Sequence, residues 1–505
     1  MSLEKSLQKK IIVLLMLLLP ATVFAQKHPD FEPLFLAESV VGAGRPSASS
    51  VQVLSADEVF KLSLLFSECK LDSKIGKRCL EQFEIIKAEV TSKRYMDMPV
   101  EERGREVLKL LYRDYLVSYD FDQTKVDVAL ESGTYNCVSS ALLYMAVAKA
   151  CGLDVRGQRT TQHAFSSIYV PAQKAGHLKK IDVETTNPYG FNPGSRETIE
   201  NEANIKKYYV VPKKYYANRQ EVSDRVFVGV IAANICSDCI KSGDYVRAVP
   251  VGAARYETVR NEKSKAVTDV RQEFDILAAN YVNLNPDSAV VYSDVVNWYT
   301  LFIERWGFTD FLQKNMDNAF KNLLVLCSKE NNYPLAVECF EKYKKYVSPK
   351  QLPKMEEIKA DILFSTETSG HSYDEQISII NELLKDSDYQ SVVYQNRGKL
   401  YLENAWLMIL NDYMNQKEYQ TGLKKSDEAL EQLPQNAKVK NMKQYFYNNS
   451  IAIIHNNFAK QANAGHYIEA MEILSDGLKD FPDDKTLNKD YTDLLNIIDL
   501  YGDLE

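Results

Sequence analysis

Beyond its first 25 residues the chain has no apolar run approaching the roughly 20 residues that a membrane span requires. It also lacks a basic excess. The formal net charge is −8. Lys5, Lys9 and Lys10 against Glu4 give the first 25 residues +2, which leaves −10 for the rest. An acidic body of this kind disfavours nucleic acid and anionic membrane as partners, because phosphate binding needs a basic surface. No Walker loop, HExxH or GxGxxG in the right context is present, so no metal or nucleotide cofactor is expected. Eight cysteines in 505 residues are too few for a disulfide framework. Cys69 with Cys79, and Cys327 with Cys339, are spaced to close short loops. Cys236 and Cys239 form a CxxC without a second ligand pair, which favours two buried helix thiols over structural zinc. Cys137 and Cys151, on one helix, stand about 21 Å apart and cannot pair.

The chain does have an export pattern. Lys9 and Lys10 precede the apolar run Ile11 to Leu19, and Val23-Phe24-Ala25 is a small-residue cleavage site. Residues 1–25 are therefore predicted to be a signal peptide. Its cleavage leaves no stable membrane anchor and places the mature chain in the periplasm or outside the cell. Hydrophobic content of 45% and charged content of 26% are ordinary for globular protein. A chain of this length needs more than one core.

Residues 26–50 contain Pro, Gly and Ser without periodicity and form a lead-in. Ser55-Ala56-Asp57-Glu58 is a capping box, with Leu54 and Val59 as the staple, and predicts a helix to about Cys69. Helical spacing recurs over Arg78–Arg94 and Val100–Tyr115. From Cys137 the apolar positions Val138, Ala141, Leu142, Met145 and Ala148 predict a helix that Gly152 stops. Ala164–Val170, Lys180–Val183 and Tyr208–Val211 alternate and predict strands of one small antiparallel sheet. The turn-rich stretch Asn187–Gly194 is a loop. This α+β domain is assigned 51–224.

Three residues in it form a reactive set. Cys137 opens a helix, where the dipole and unpaired N–H groups favour an anion. His163 opens one strand and Asp182 lies in the next. A thiol nucleophile needs an imidazole to carry its proton and a carboxylate to hold that imidazole in one tautomer. Taken singly, the Cys is a small core residue, the His a core histidine and the Asp a turn carboxylate. His177, in a hairpin loop, is the rival base. Glu184, Thr185, Thr186 and Tyr189 follow the Asp strand and are candidates for substrate contact, with turn chemistry as the other reading; Tyr135 and Asn136, just before the Cys, are candidates for substrate contact and for supplementing the Cys137 N–H. The order Cys137, His163, Asp182 on a helix and two neighbouring strands is similar to the transglutaminase-like superfamily, relatives of papain-type proteases. His163-Ala164-Phe165 resembles its His with an aromatic at +2. Asp182 with Thr185 and Pro188 resembles its Asp segment, and Gly152 its helix end. The resemblance covers roughly residues 100–220. It implies a Cys-His-Asp triad acting on amide bonds, as peptidase or acyl transferase. The family's Gly before and Trp after the Cys are here Tyr135 and Val138. Glu131 stands where papain-type enzymes place an oxyanion-donating Gln.

Residues 225–505 lose the strand signal. Tyr245, Tyr333, Tyr373, Tyr419 and Tyr467 each begin a helical pattern, mostly with a small residue three later. Gly422, Ala429 and Pro434 follow one, and Leu474, Gly477, Phe481 and Pro482 another. This resembles the tetratricopeptide repeat, at spacings of 40 to 88 instead of about 34. Elongated helix pairs, with further pairs between Arg255 and Asn332, are expected. The resemblance implies protein or peptide partners. It leaves two functions open: a cysteine enzyme whose repeats bind protein or peptide, or an inactive scaffold that works through them.

Overall fold

A helix buried on every side organises the first part of the molecule. The computed structural model describes residues 28–33, 53–172, 176–195, 199–201, 208–284 and 286–501. The predicted signal peptide, and all but residues 28–33 of the lead-in, lie outside them. The chain divides into two compact units, Met1–Asn285 with Val295–Asn315, and Pro286–Asp294 with Met316–Glu505.

In the first unit, α1 (Ala56–Phe66) begins with the expected capping box, Ser55 and Glu58 each satisfying the other's backbone N–H. It is followed by α2 (Lys74–Val90), α3 (Lys93–Met96), α4 (Val100–Asp114), β1 (Ser118–Tyr119), α5 (Val126–Ser132) and β2 (Thr134–Tyr135). The central α6 (Cys137–Ala150) has every side chain from Val138 to Ala148 buried. It packs against α1, α2, α4 and α5. On its remaining side lie β3 (Asp154–Arg159) and β4 (Ala164–Pro171). A helix apolar all round belongs in a core, so the residue at its N-terminus is held by most of the unit.

The sheet has the order β5-β4-β3-β6, all neighbours antiparallel, with β5 at Leu178–Val183 and β6 at Gln220–Val222. β3 is Asp-Val-Arg-Gly-Gln-Arg and lacks the apolar alternation that marks a half-buried strand, so it is not legible as one. Gly157 in it lets the Phe227 ring lie directly on the sheet. The expected strand Tyr208–Val211 does not form. Its tyrosines pack instead: Tyr209 stacks on Tyr119 at 4.6 Å and Tyr208 meets Tyr112 edge-on at 5.2 Å.

The sheet ends at Val222, but the unit continues through α7 (Asp224–Val228), α8 (Val230–Ser242), α9 (Tyr245–Val259) and α10 (Lys265–Val282). The buried ion pair of Lys149 with Asp224, 2.9 Å, fastens α7 to the end of α6. Asp224 also accepts the Leu54 N–H. The segment 28–33 lies on α10 and α11 (Ala289–Trp306). His28 Nδ1 is 2.6 Å from the Tyr281 hydroxyl, Trp298 donates to the Pro29 carbonyl, and Phe31 stacks on Trp298.

The second unit is a helical array. α12 (Asp310–Lys329), which begins in the first unit, leads into α13 (Tyr333–Tyr343), α14 (Leu352–Thr368), α15 (Tyr373–Lys385), α16 (Val392–Gln416), α17 (Tyr419–Gln432), α18 (Ala437–Asn463), α19 (Tyr467–Asp480) and α20 (Lys485–Tyr501). All five tyrosines noted in the sequence are first residues of helices, Tyr245 in the first unit and four here. The small residues behind them are buried: Ala248, Ala336 and Ala470 are fully covered. The spacings of 46 and 48 residues arise because α16 and α18 run to 25 and 27 residues. α17 packs between α16 and α18, and α19 between α18 and α20. At Gly422 a Cβ would sit 2.5 Å from the Phe446 ring. Gly422→Ala should therefore destabilise the array. Overpacking costs about 1–3 kcal/mol against the ~1 kcal/mol that Ala gains over Gly in a helix. The expected result is a drop of a few degrees in the thermal midpoint, read by circular dichroism.

Candidate functional site

Asn136 is the N-cap of α6. Its side-chain oxygen accepts the Val138 and Ser139 N–H groups at 2.8 and 3.1 Å, and Ser139 Oγ accepts the Asn136 N–H in return. The Ser140 N–H bonds the Asn136 carbonyl. Of the first-turn amides, the Cys137 N–H alone has no acceptor among the described residues. Cys137 is half-buried and its thiol is free.

His163 immediately precedes β4. The register pairs Ser167 with Asp182 and Ser166 with Val183, so His163, Phe165 and Ser167 share one face of the sheet with Asp182 and Glu184. His163 Nε2 lies 2.7 Å from Glu184 Oε2. Cys137 lies close enough to the imidazole to favour its charged form. Glu184 is 1% exposed. It also accepts the Tyr216 hydroxyl at 2.6 Å on the same oxygen and the Thr186 N–H at 3.1 Å on the other. Burial opposes a charged imidazole at 163, but Glu184 and Cys137 outweigh it and raise its pKa to about 10. Burial likewise opposes the Glu184 carboxylate, but the charge and hydrogen bond of His163, with Tyr216 and Thr186, hold its pKa below the usual value.

Asp182 is therefore not the third member of the set. Its carboxylate accepts Ser167 Oγ at 2.7 Å and pairs with Arg219. The strand period puts Asp182 and Glu184 on the same face, and the pairing register brings the later one to the histidine. Glu184 stays in place because its N–H bonds the Gly190 carbonyl at 2.8 Å, and because Gly190 has no Cβ to collide with the Glu184 carbonyl.

The flanking candidates separate. Asn136 lines the cleft, but its side chain is committed to the cap and to the Phe121 carbonyl. Tyr135 is fully buried and bridges the Tyr112 hydroxyl and the Thr186 carbonyl. Thr185 is buried, 2.9 Å from Ser140 Oγ. Tyr189 is exposed and is not part of the cleft wall. These three are corrected to structural or surface roles: the loop after β5 folds onto the protein to present Glu184, which turns its hydroxyls inward. His177 is exposed in the β4–β5 hairpin. All eight cysteines are free, so neither short-loop disulfide is formed. No cluster able to hold a metal occurs among the described residues.

Cys137 and His163 lie on a cleft of about 840 Å³. One wall consists of Phe121, Asn136 and the loop Thr160–His163. The other comes from α8, α9 and α10, with Asn234, Asp238, Arg255, Asp269, Gln272 and Ile276. Its cations are already paired: Arg159 with Asp269 at 3.1 Å, Lys241 with Asp238 at 2.9 Å, and Arg255 with Glu273. The cleft thus offers amides and hydroxyls rather than a net charge. The role of the helices beyond residue 224 in this wall had no signal in the sequence.

The chain matches no protein-family model and no curated protein. Among solved structures, a crystal structure of menin that reveals its binding site for the Mixed Lineage Leukemia (MLL) protein aligns with 74% of this chain and 77% of that one, at 13% identity and a TM-score of 0.28. A score this low carries no inference about fold or function.

Replacing Glu184 by Gln should return the His163 ring toward ordinary titration, whereas Asp182→Asn should leave it raised, as followed by NMR of the imidazole. The pair also gives stability a sign with pH. A raised histidine stabilises fully below its unfolded value of 6.5, and this is lost as pH rises toward about 10. A lowered carboxylate stabilises above its unfolded value of 4.5, and this is lost on acidification. The gap in thermal midpoint between wild type and Glu184→Gln should therefore be widest between those two values and narrow on both sides.

Proposed function

We propose that the chain is an exported cysteine enzyme of the transglutaminase-like, papain-related kind, acting on amide bonds through Cys137, His163 and Glu184. The observation that carries this reading is a single imidazole bonded to a buried carboxylate and sharing an open cleft with a helix-mouth thiol. The order of nucleophile helix, histidine strand and carboxylate strand supports the family assignment, with Glu in place of Asp and two residues later.

In the proposed reaction the Cys137 sulfur, its proton held by His163, attacks the amide carbonyl. The new S–C bond pushes the carbonyl electrons onto oxygen, and the Cys137 N–H donates a hydrogen bond to the resulting oxyanion. As the tetrahedral species collapses, the C–N bond breaks, and the amine leaves with the proton from His163, giving a thioester. Water or a second amine, deprotonated by His163, then attacks the thioester and restores the thiol. Glu184 keeps the ring aligned and stabilises its positive charge through both steps. The helical array, with its tetratricopeptide-like tyrosine and small-residue pattern, supplies protein or peptide partners in this reading.

A scaffold without catalysis is the second reading. The observation in its favour is Glu131, which occupies the oxyanion-donor position and is turned to Arg78. Removing one oxyanion donor costs about 10²–10³ in rate.

Reactivity separates the two. Burial raises the other seven thiols, Cys79, Cys236 and Cys339 to about 12, Cys151 and Cys327 to about 11, and Cys69 and Cys239 in the same direction. At about pH 6 iodoacetamide should alkylate Cys137 at least ~10-fold faster than any of them, since the thiolate is the nucleophile. His163→Ala should abolish the preference, as read by mass spectrometry of the digested protein. Slow and equal labelling of all eight would defeat the enzyme reading.

A further inference from the structure

We propose that Tyr216 is a positioning residue of this triad, its hydroxyl fixing the Glu184 carboxylate in the orientation that receives His163. The proposal rests on the enzyme reading above and adds a fourth member to it.

Tyr216 ends a 3₁₀ turn, Lys213–Tyr216. The turn belongs to a strap, residues 208–219, that crosses the carboxylate side of the site. Several contacts hold the strap. Thr186 Oγ1 donates to the Tyr209 carbonyl at 3.1 Å, the Tyr209 ring stacks on Tyr119, Tyr208 meets Tyr112 edge-on, and Arg219 pairs with Asp182. Tyr216 adds another. Its hydroxyl is 2.6 Å from Glu184 Oε2, the oxygen that also meets His163. Its ring stands edge-on to His163, with centroids 5.8 Å apart at 81°, and edge-on to Phe165. Phe165 lies parallel to His163 at 5.8 Å. The three rings thus pack in mutual contact, and His163 and Glu184 are both buried.

The chemistry requires a hydroxyl and not only a ring. A carboxylate has no donor, so each of its oxygens needs one supplied. Thr186 N–H supplies Oε1, and His163 with Tyr216 supplies Oε2. Two donors on one oxygen and a backbone donor on the other leave the carboxylate no free rotation. Without Tyr216 the carboxylate keeps its burial but loses a charge-assisted hydrogen bond, and the proton is retained at higher pH. The groups that bear on Glu184 are His163 and Cys137, Tyr112 from α4, Tyr119 from β1, Tyr135 from β2, and Tyr209 and Tyr216 from the strap. Burial raises the Tyr112, Tyr119, Tyr135 and Tyr209 hydroxyls, so these stay neutral across the range in question and a change at Tyr216 reads out on Glu184 and His163.

The test is the pH profile of Cys137 alkylation by iodoacetamide in the full chain, for wild type, Tyr216→Phe and Tyr216→Ala. Thermal unfolding of each variant checks that the fold is retained. Tyr216→Phe keeps the ring and should still move the acid limb of the profile to higher pH, with a fall of about tenfold in rate near pH 6. In a Glu184→Gln background the same replacement should have no further effect, because the hydroxyl acts through that carboxylate. A Tyr216→Phe profile that superimposes on wild type, with only Tyr216→Ala altered, would overturn the proposal and leave a packing role. If wild-type Cys137 reacts no faster than the other thiols, the triad reading falls and the role of Tyr216 falls with it. The two failures are thus told apart by the wild-type profile alone.

Discussion

A carboxylate removed from water and given three donors governs the architecture around this site. An unpaired buried charge is expensive, so the fold must deliver partners to Glu184 from several directions. His163 comes from the start of β4, Thr186 from the backbone two residues on, and Tyr216 from the strap. Each depends on another part of the chain: the strand register, the Gly190 turn, and the aromatic contacts that hold residues 208–219. The charge on the histidine follows from that environment, because Glu184 and Cys137 outweigh the burial that would otherwise keep the ring neutral.

The thiol side is built by a different rule. α6 is buried from Val138 to Ala148, and its position is set by packing against helices on one side and the sheet on the other. The cap at Asn136 takes two of the free amides and one more bonds its carbonyl. What remains at the helix mouth is one N–H beside one thiol. Core packing therefore fixes the sulfur, and hydrogen bonding fixes the imidazole.

Much of this is legible in the sequence where a local rule decides the outcome. The start of the helix at Cys137, the capping box at Ser55, and the helices led by tyrosines at 245, 333, 373, 419 and 467 all follow from capping or periodicity. The carboxylate is different. Asp182 and Glu184 satisfy the same alternation, and only the pairing of β4 with β5 says which one lies beside the histidine. β3 is hidden because its polar residues carry no period, and Tyr208–Val211 misleads because its alternation serves ring contacts instead of a ladder. The far wall of the cleft is a tertiary fact that no local pattern encodes.

That wall divides labour along the chain. Cys137 and His163 sit on α6 and beside the sheet, while the surface facing them across the cleft belongs to α8, α9 and α10. Side chains such as Gln272 and Ile276 line the cleft from helices that carry neither Cys137 nor His163. Descendants of this molecule are thus free to reshape that wall by editing helix faces, generation after generation, with the sulfur and its imidazole untouched.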